Sequence, residues 1–453
     1  MKVGLEIHGY IKTQTKLFCP CKTVDSKPNT NICPVCTGQP GSKPQAINAT
    51  ALEKAIKIGL MLGCTINPRL TMQRKHYSWP DSPNNYQRTM SGSYATPVGE
   101  NGIFEGIRIT EVHLEEDPAR WDPQTGAIDY NRAGVPLIEI VTEPDFTNVE
   151  QITQWLQKLI TTLTYIDAIN KTAGIKSDVN VSIEPKFERV EIKNVNSQST
   201  IAQAVEYEVQ RQEQEVANNK PIPMQTRTWN DALQETVFMR SKETAQDYMF
   251  IPDPDITSVD VKESYLQQLK ETLPEPPSVK EEKLIKLGVK KDDARVLSLE
   301  FPLIVLFEEL SATIPISILT TYLRREFVRI ANYNSKRVDE LILDQKQIQT
   351  LLTLVKEKKI TDAVAQKILE KLLLDPFDVQ EYIEKNNLTA VDDKDALEQI
   401  CKQVIQAQEK AVKDYQQGNM QSLNFLVGQV MRTTKGAATP DTVIQTFERL
   451  LKK

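Results

Sequence analysis

The sequence predicts an α+β protein in which a mixed, largely antiparallel sheet domain is followed by two helical domains. Three observations predict this order: β-type runs near the start, a proline-rich junction at Leu273-Pro-Glu-Pro-Pro277, and helical periodicity beyond it. The β-type runs, which alternate or are β-branched, are Val3–Ile11, Gly106–Leu114, Val135–Thr142 and Val179–Ile183. The expected domains are residues 1–272 for the sheet, 273–390 for the first helical domain and 391–453 for the second.

Helices are expected on both sides of the junction. Within the sheet domain, apolar spacing indicates helices at Ala51–Leu62 and Val149–Leu163. Thr361 can cap a helix whose apolar positions recur every four residues, and that helix must end before Pro376. Thr439-Pro440 begins the final helix in the favoured order of cap and then proline. The helix before it has one apolar face, formed by Leu423, Leu426, Val427, Val430 and Met431.

The composition is that of a globular protein without a membrane span. Of the 453 residues, 40% are hydrophobic and 26% are charged. The 61 acidic side chains exceed the 55 basic ones, and the net charge of −6 argues against a strongly basic nucleic-acid binder, although a local basic surface stays open. No apolar run reaches signal-peptide length at the start, or the roughly 20 residues of a membrane span. We therefore expect a cytoplasmic protein with reduced thiols and no membrane partner.

Cysteines near the start have the spacing of a metal site. They are Cys19 and Cys21, separated by one residue, and Cys33 and Cys36, separated by two. Cysteine clusters in a reducing compartment bind metals more often than they form disulfides, and four thiolates suit tetrahedral Zn²⁺ with no open position. The pattern predicts a structural zinc site, with unbound surface thiols as the alternative. Cys64 and Cys401 lie in apolar helical segments and are expected in cores.

Polar side chains on two strands could carry chemistry. Glu6 and His8 share one face of the first strand, because side chains alternate along a strand, so they could share a metal ion or a proton. An exposed polar face is the alternative. The acidic run in His113-Leu-Glu-Glu-Asp117 ends another strand, where carboxylates could hold Mg²⁺. A solvated turn is the alternative there.

Further polar stripes and one basic loop extend this chemistry. Two stripes at strand spacing suit either a water-facing sheet or the floor of a polar site; they are Asp178, Asn180 and Ser182, and Glu191 and Lys193. The loop Arg74-Lys-His-Tyr77 mixes cations and aromatic rings, which suits phosphate and a stacked base or sugar, or simple packing. The chain has no P-loop and no Rossmann glycine fingerprint. A phosphoryl-transfer enzyme here would use carboxylate-held Mg²⁺ and a lysine instead.

These motifs together resemble one family over nearly the whole chain, the GatB proteins of the aspartyl/glutamyl-tRNA amidotransferases, in their zinc-carrying type. The longest motif is Asn131-Arg-Ala-Gly-Val-Pro-Leu-Ile-Glu-Ile-Val-Thr-Glu-Pro-Asp145. The others are Gly4–His8, Lys75 within Arg-Lys-His-Tyr, His113–Asp117, Glu191–Ser197, Asp247-Tyr248 with Pro252–Asp255, and Asn424–Gln429 with Lys435-Gly436. The related GatE proteins carry an inserted domain for which 453 residues leave no room.

The resemblance implies a ligase that forms a carbon–nitrogen bond. It implies a GatB cradle-like first domain that uses ATP and Mg²⁺ to phosphorylate the side-chain carboxylate of misacylated Glu-tRNA(Gln), and often of Asp-tRNA(Asn). Ammonia released by the amidase partner, GatA, then displaces the phosphate. A small protein, GatC, completes the heterotrimer, and the two helical domains grip the tRNA body.

The resemblance also implies roles for particular residues. His8 and Glu116 match Mg²⁺ ligands, and Lys75 with Glu116 matches the nucleotide and phosphate contacts. The essential polar residues around that ion match Glu6, Lys75, Glu115, Glu139, Asp178 and Glu191. Glu139 has independent support, because an acid between Ile138 and Ile140 would be costly to bury unless it were paired.

Two departures and one alternative accompany the resemblance. Lys176 and Met249 stand where the family usually has arginines, which puts the cationic contact at Met249 in doubt. The segment from Met431 to Lys453 carries a net charge of +3, which fits phosphate contacts or an ordinary solvated helix end. A zinc-stabilised RNA-binding scaffold without chemistry of its own is the alternative function, and an ATP-dependent ligase unrelated to tRNA is another.

Overall fold

The computed structural model describes residues 1–169, 175–185, 188–241, 249–390, 394–434 and 436–451, with the side chains of 394–396 left out. The chain divides into two compact units, 1–277 and 278–453, and the boundary falls at the end of the proline-rich junction. A further division near residue 390 stays a prediction. Several residues named above lie outside the described ones: Asp247, Tyr248, Lys435, Lys452 and Lys453.

The first unit is built on one large mixed sheet, as the sequence predicts. Its strands follow the order β14-β13-β12-β11-β1-β10-β7-β5-β4-β15, with β6 paired to β7 and β2 to β6. All of these pairs are antiparallel except β12 with β13. The strands are β1 Lys2–Tyr10, β2 Thr65–Ile66, β3 Arg69–Leu70, β4 Gln73–His76, β5 Tyr86–Thr89, β6 Gly99–Phe104, β7 Ile107–Glu116, β8 Arg120–Trp121, β9 Ile128–Asp129, β10 Pro136–Thr142, β11 Ile175–Ser182, β12 Val190–Val195, β13 Gln225–Asn230, β14 Glu235–Ser241, β15 Met249–Pro252 and β16 Val259–Asp260.

The helices of the first unit cover one face of this sheet. Both predicted helices form, and each is capped by an asparagine side chain, Asn48 for the first and Asn148 for the second. Val3, Leu5 and Ile7 of β1 belong to one core cluster together with buried residues of the first three helices. These helices are α1 Ala49–Met61, α2 Val149–Tyr165, α3 Gln198–Ala217 and α4 Glu263–Thr272. The opposite face of β1 is therefore left to its polar side chains.

The second unit is helical. Thr361 caps α11 by accepting from the backbone N–H of Val364, and Leu423, Leu426, Val427 and Val430 are buried on one face of α15. The helices are α5 Pro277–Lys286, α6 Lys291–Leu299, α7 Phe301–Leu310, α8 Ile316–Leu319, α9 Val328–Tyr333, α10 Gln345–Lys356, α11 Asp362–Leu372, α12 Val379–Asn386, α13 Lys394–Ala407, α14 Glu409–Gln416, α15 Met420–Thr433 and α16 Pro440–Leu451. A π-helical stretch, Thr320–Phe327, joins α8 to α9, and a 3-10 turn spans Val338–Glu340. Helices α13 to α16 share one core cluster.

The two units together confirm the predicted α+β class. Among the residues that the structure describes, the helices are all too short or too polar to cross a membrane. One part of the basic C-terminal segment is already neutralised, because Arg449 of α16 donates to Glu398 of α13 at 2.6 Å.

Candidate active site

The polar face of the sheet is assembled by strands that meet at β1. Glu6, His8 and Tyr10 alternate with buried apolar residues and point away from the helices. Antiparallel pairing with β10 places Glu139 opposite His8, and pairing with β11 places Asp178 opposite Glu6. Residues far apart in the chain are thereby brought to one surface.

His8, Glu115 and Glu139 form a first cluster, called here the histidine group. One ligand atom from each lies within 4.8 Å of the others, a spacing that suits a bound cation. The ring nitrogen Nε2 of His8 is 3.7 Å from Oε1 of Glu139. Gln87 and Thr89 of β5 both donate to Glu115, Gln87 at 3.1 Å. Burial raises the pKa of Glu115, and the charge of Glu139 adds to that increase.

His113 supports the histidine group from within the sheet. Its Nδ1 is 3.2 Å from the second oxygen of Glu139, and its Nε2 is 2.5 Å from Glu111. Burial raises the pKa of Glu139, but the hydrogen bond with His113 and the charge of His8 outweigh it and hold that pKa at about 2. Burial likewise lowers the pKa of His113, and the bonds to Glu111 and Glu139 outweigh it and raise the value to about 10. Glu139 is thus paired, as its apolar sequence context required.

Glu6, Asp178 and Glu191 form a second cluster, called here the carboxylate group. One oxygen from each lies within 4.8 Å of the others. Lys193 donates to Asp178 at 2.6 Å and lies 3.4 Å from Glu191. Burial lowers the pKa of Lys193, but the two carboxylates outweigh it and raise the pKa above its usual value. Burial also raises the pKa of Glu6.

Both groups open into a single cavity of about 500 Å³. Tyr10 donates to Asp117 at 2.8 Å on the cavity wall, and Asp117 also pairs with Arg132. The charge of Lys75 lowers the pKa of both Glu115 and Glu139, as expected for a lysine placed beside them. The predicted site residues on the cavity surface are Glu6, His8, Lys75, Glu115, Glu139, Asp178 and Glu191. One surface therefore carries all of the predicted catalytic residues.

Glu116 is the predicted site residue that the structure places elsewhere. Strand alternation turns it away from Glu115, and its carboxylate accepts from the backbone N–H of Arg88 at 3.0 Å and from the guanidinium at 3.3 Å. Arg88 also donates to the fully buried Asp253 at 3.0 Å. The structure therefore does not bring Glu116 together with His8, and Glu115 takes the position beside His8 that the resemblance implies for Glu116.

The four predicted zinc ligands also meet. The Sγ atoms of Cys19, Cys21, Cys33 and Cys36 all lie within 4.8 Å of one another, and none of these cysteines is in a disulfide. Sulfur atoms bound tetrahedrally at about 2.3 Å would be about 3.8 Å apart, and those of Cys33 and Cys36 are 3.9 Å apart. A hydrogen bond from Cys19 and the nearby charge of Lys16 hold the pKa of Cys36 at about 4, although burial raises it. The donor set fits a zinc ion.

The cysteine cluster is attached to the cavity wall through a neighbouring loop. Asn29, between the two cysteine pairs, donates its backbone N–H to Asp129, and Leu17 donates to the carbonyl of Gly134 at 2.8 Å. Gly134 in turn donates to the carbonyl of Asp117, which lines the cavity. The cluster thus fixes a loop that supports the site.

Sequence reasoning missed several residues of this site. His113 is two residues before Glu115 on the same strand face, so alternation alone could have assigned it to the site. The support from Gln87 and Thr89 depends on the pairing of β5 with β7, which no local pattern indicates. The position of Lys193 relative to Asp178 depends on an irregularity between Ser177 and Val179 in the pairing of β11 with β12.

The fold and this cavity define a class of protein before any comparison is made. A buried surface of histidine, carboxylate and lysine side chains with room for a small substrate is typical of an enzyme that acts on anionic groups with a divalent cation. Comparison with protein families places the chain more closely. Residues 1–267 match the GatB/GatE catalytic domain and residues 305–451 match the GatB domain. The chain belongs to the GatB family, which confirms the resemblance.

Curated relatives match over their full lengths. A protein of Methanocaldococcus jannaschii is 40% identical over 468 residues, covering all of this chain and 98% of the relative. Proteins of Methanothermobacter thermautotrophicus and Methanococcus maripaludis strain C7 are 40% and 39% identical, with at least 98% of each chain covered. All three relatives are named as the GatB component of aspartyl/glutamyl-tRNA(Asn/Gln) amidotransferase.

Proposed function

We propose that this chain is the GatB component of a tRNA-dependent amidotransferase and carries the ATP-dependent amidation of a misacylated tRNA. The observation that carries this proposal is the convergence of both acidic groups and Lys75 on one cavity, in a chain that matches GatB relatives from end to end. The substrates proposed are Glu-tRNA(Gln) and Asp-tRNA(Asn). A scaffold without chemistry would have no use for so many buried carboxylates, which are costly to desolvate.

The chemistry explains why the site is both acidic and cationic. A carboxylate resists attack by ammonia because its leaving group would be oxide. Transfer of the γ-phosphoryl group of ATP to the carboxylate gives an acyl phosphate and ADP. Ammonia then attacks the acyl carbon and phosphate leaves, with one proton taken up by a base. Phosphoryl transfer depends on positioning and charge neutralisation more than on covalent help from the protein.

The histidine group is the proposed Mg²⁺ site. His8, Glu115 and Glu139 offer one nitrogen and carboxylate oxygens, a donor set that Mg²⁺ accepts alongside water and substrate phosphates. When bound, Mg²⁺ supplies charge neutralisation for the phosphates. Lys75, close enough to lower the pKa of two of these carboxyl groups, is proposed to bind the transferring phosphate. Glu116 is proposed to act through Arg88 in place of direct ligation.

The carboxylate group lies at the other side of β1 and is proposed to serve the ammonia step. Glu6 is buried with a raised pKa, and Asn180 donates to it at 2.9 Å, so its free oxygen can accept a proton without leaving the cavity. Ammonia would come from an amidase partner, GatA, with a small protein, GatC, completing a heterotrimer. The names of the relatives support such an assembly of several different chains. A cytoplasmic location is proposed with it.

The cysteine cluster is proposed to bind one structural Zn²⁺. We expect protein never exposed to chelator to contain about one zinc per chain. Cys33→Ser should lose that zinc and lower the thermal stability of the first unit, because the loop that supports Asp117 loses its anchor. Mass spectrometry of the metal content and a melting curve measure both effects. Cys64→Ala is the matched control, since Cys64 is buried outside the cluster and should keep the zinc. Full zinc content in Cys33→Ser would contradict the proposal.

Reconstitution tests the function as a whole. The chain is combined with candidate GatA and GatC proteins, Glu-tRNA(Gln), ATP and glutamine, and Gln-tRNA(Gln) is measured. We expect Gln-tRNA and ADP to form together, and ATP turnover to require the misacylated tRNA. ATP turnover that uncharged RNA stimulates equally well would favour a ligase unrelated to tRNA. Tight tRNA binding with no ATP turnover in any reconstituted complex would favour the scaffold.

A further inference from the structure

The two acidic groups of the cavity differ in one respect that the proposed function leaves unexplained. Each places three ligand atoms within 4.8 Å of one another, so each could hold a cation on geometry alone. The carboxylate group has the more anionic set, since Glu6, Asp178 and Glu191 are all acids whereas the histidine group contains one imidazole. A divalent cation would therefore be expected to bind the carboxylate group at least as readily, unless something opposes it.

Lys193 supplies that opposition. Its ammonium donates to Oδ2 of Asp178 at 2.6 Å and is 3.4 Å from Oε1 of Glu191, so it already occupies oxygens that a cation would need. Its side chain is 29% exposed and lies between two acids that are 22% and 12% exposed. In so little water, a second positive charge beside the ammonium is strongly disfavoured.

The remaining lone pairs in the carboxylate group are partly satisfied by neutral donors. Thr226 donates to the other oxygen of Glu191 at 2.9 Å, and Asn180 donates to Glu6 at 2.9 Å. These donors come from β13 and β11, so the arrangement is fixed by the sheet. The carboxylate group is thus completed by protein donors, with Lys193 as its cation.

The spacing of the two groups also argues against a pair of cooperating metal ions. Glu6 and His8 are two residues apart on β1, which separates them by about 6.6 Å along the strand. Two-metal sites that clamp a phosphoryl group hold their ions about 3.5–4 Å apart. A second ion in the carboxylate group would be too far away for that role and would occupy the space proposed for ammonia.

We propose that Lys193 is a positioning residue that keeps divalent cations out of the carboxylate group and confines the single Mg²⁺ of the reaction to the histidine group. This inference rests on the proposed function in one respect, the assignment of Mg²⁺ to His8, Glu115 and Glu139. Lys193 acts through Asp178 and Glu191. A lysine with a merely structural role would affect stability and leave the number of bound cations unchanged.

The test counts bound Mn²⁺ by electron paramagnetic resonance, with the cysteine cluster loaded with Zn²⁺ and no nucleotide present. We expect the wild type to bind one ion per chain and Lys193→Met to bind a second with similar affinity. Lys193→Gln, which keeps a donor and loses the charge, should also gain the second ion. Lys193→Arg should bind one. The double variant Lys193→Met/Asp178→Asn should lose the gained ion, which would place it in the carboxylate group. Lys158→Met, a change at a lysine of α2 that pairs with Glu105, is the control.

The outcomes separate this inference from the proposed function. One ion in the wild type and one in both uncharged variants would overturn the role of Lys193 and leave the Mg²⁺ site intact. No ion in the wild type and one in the uncharged variants would support Lys193 and refute the histidine group as the metal site. Two ions in the wild type or in Lys193→Arg would overturn the inference. If the uncharged variants fail to fold, as tryptophan fluorescence would reveal, the ion counts of the wild type and Lys193→Arg still decide it.

Discussion

Replacing Glu139 with glutamine is expected to abolish amidation while leaving the fold and tRNA binding in place. Glu139 lies between His8 at 3.7 Å and His113 at 3.2 Å, and its low pKa of about 2 keeps it ionised at every physiological pH. Glutamine keeps the shape and removes the charge. Loss of residues that only support metal ligands costs about 10- to 100-fold in affinity, so loss of a proposed ligand should cost more than about 100-fold.

The measurement has two parts and a matched control. Mn²⁺ binding to Glu139→Gln is followed by electron paramagnetic resonance, and ADP and Gln-tRNA are measured in the reconstituted complex. Glu143→Gln is the control, because Glu143 lies just beyond the same strand, accepts from Thr110 and is not part of the cavity surface. Wild-type Mn²⁺ affinity and amidation rate in Glu139→Gln would remove the histidine group from the mechanism.

Replacing Glu116 with alanine is expected to cost stability, in contrast to Glu115. Glu116 accepts from both the backbone and the guanidinium of Arg88, whose side chain is only 5% exposed. Removing the carboxylate leaves that buried cation with Asp253 as its partner, which should lower the free energy of unfolding by about 2–4 kcal/mol. Glu115→Ala should instead weaken Mn²⁺ binding, because Glu115 belongs to the histidine group.

Urea unfolding followed by tryptophan fluorescence measures this difference cleanly. The four tryptophans of the chain, Trp79, Trp121, Trp155 and Trp229, all lie in the first unit, so the signal reports on the unit that contains Glu116. Glu206→Ala, at an exposed position of α3, is the control for loss of one acid and should unfold like the wild type. Weak Mn²⁺ binding in a fully stable Glu116→Ala would restore Glu116 as the metal ligand that the family resemblance implied.

The network around Arg88 explains why Glu116 is preserved without being a ligand. Arg74 joins Asp253 at 3.1 Å and Asp255 at 2.6 Å, and Lys43 pairs with Asp255. Acids and bases alternate through this network from the end of β7 to the segment after β15. It holds β4, which carries Lys75, against the rest of the sheet. Glu116 therefore affects the site through the position of a strand.

Local sequence determined the elements and the ligand types of this protein. Alternation in Val3–Ile7 put Glu6 and His8 on one face, and the caps at Asn48, Asn148 and Thr361 fixed where helices begin. The cysteine spacing was sufficient to predict a four-sulfur cluster. These features depend on neighbours within a few residues, and short-range backbone geometry is the same wherever the segment finally packs.

Tertiary structure alone decided which carboxylates share a site. Glu115 and Glu116 are adjacent acids in one motif, and only the direction in which β7 presents each of them separates a cavity residue from the partner of Arg88. Likewise, Asp178, Glu191 and Lys193 formed two polar stripes in the sequence. They became one ion-paired group because β11 and β12 pair with an irregular register. Strand order and register are set by long-range hydrogen bonding and core packing, which no local pattern contains.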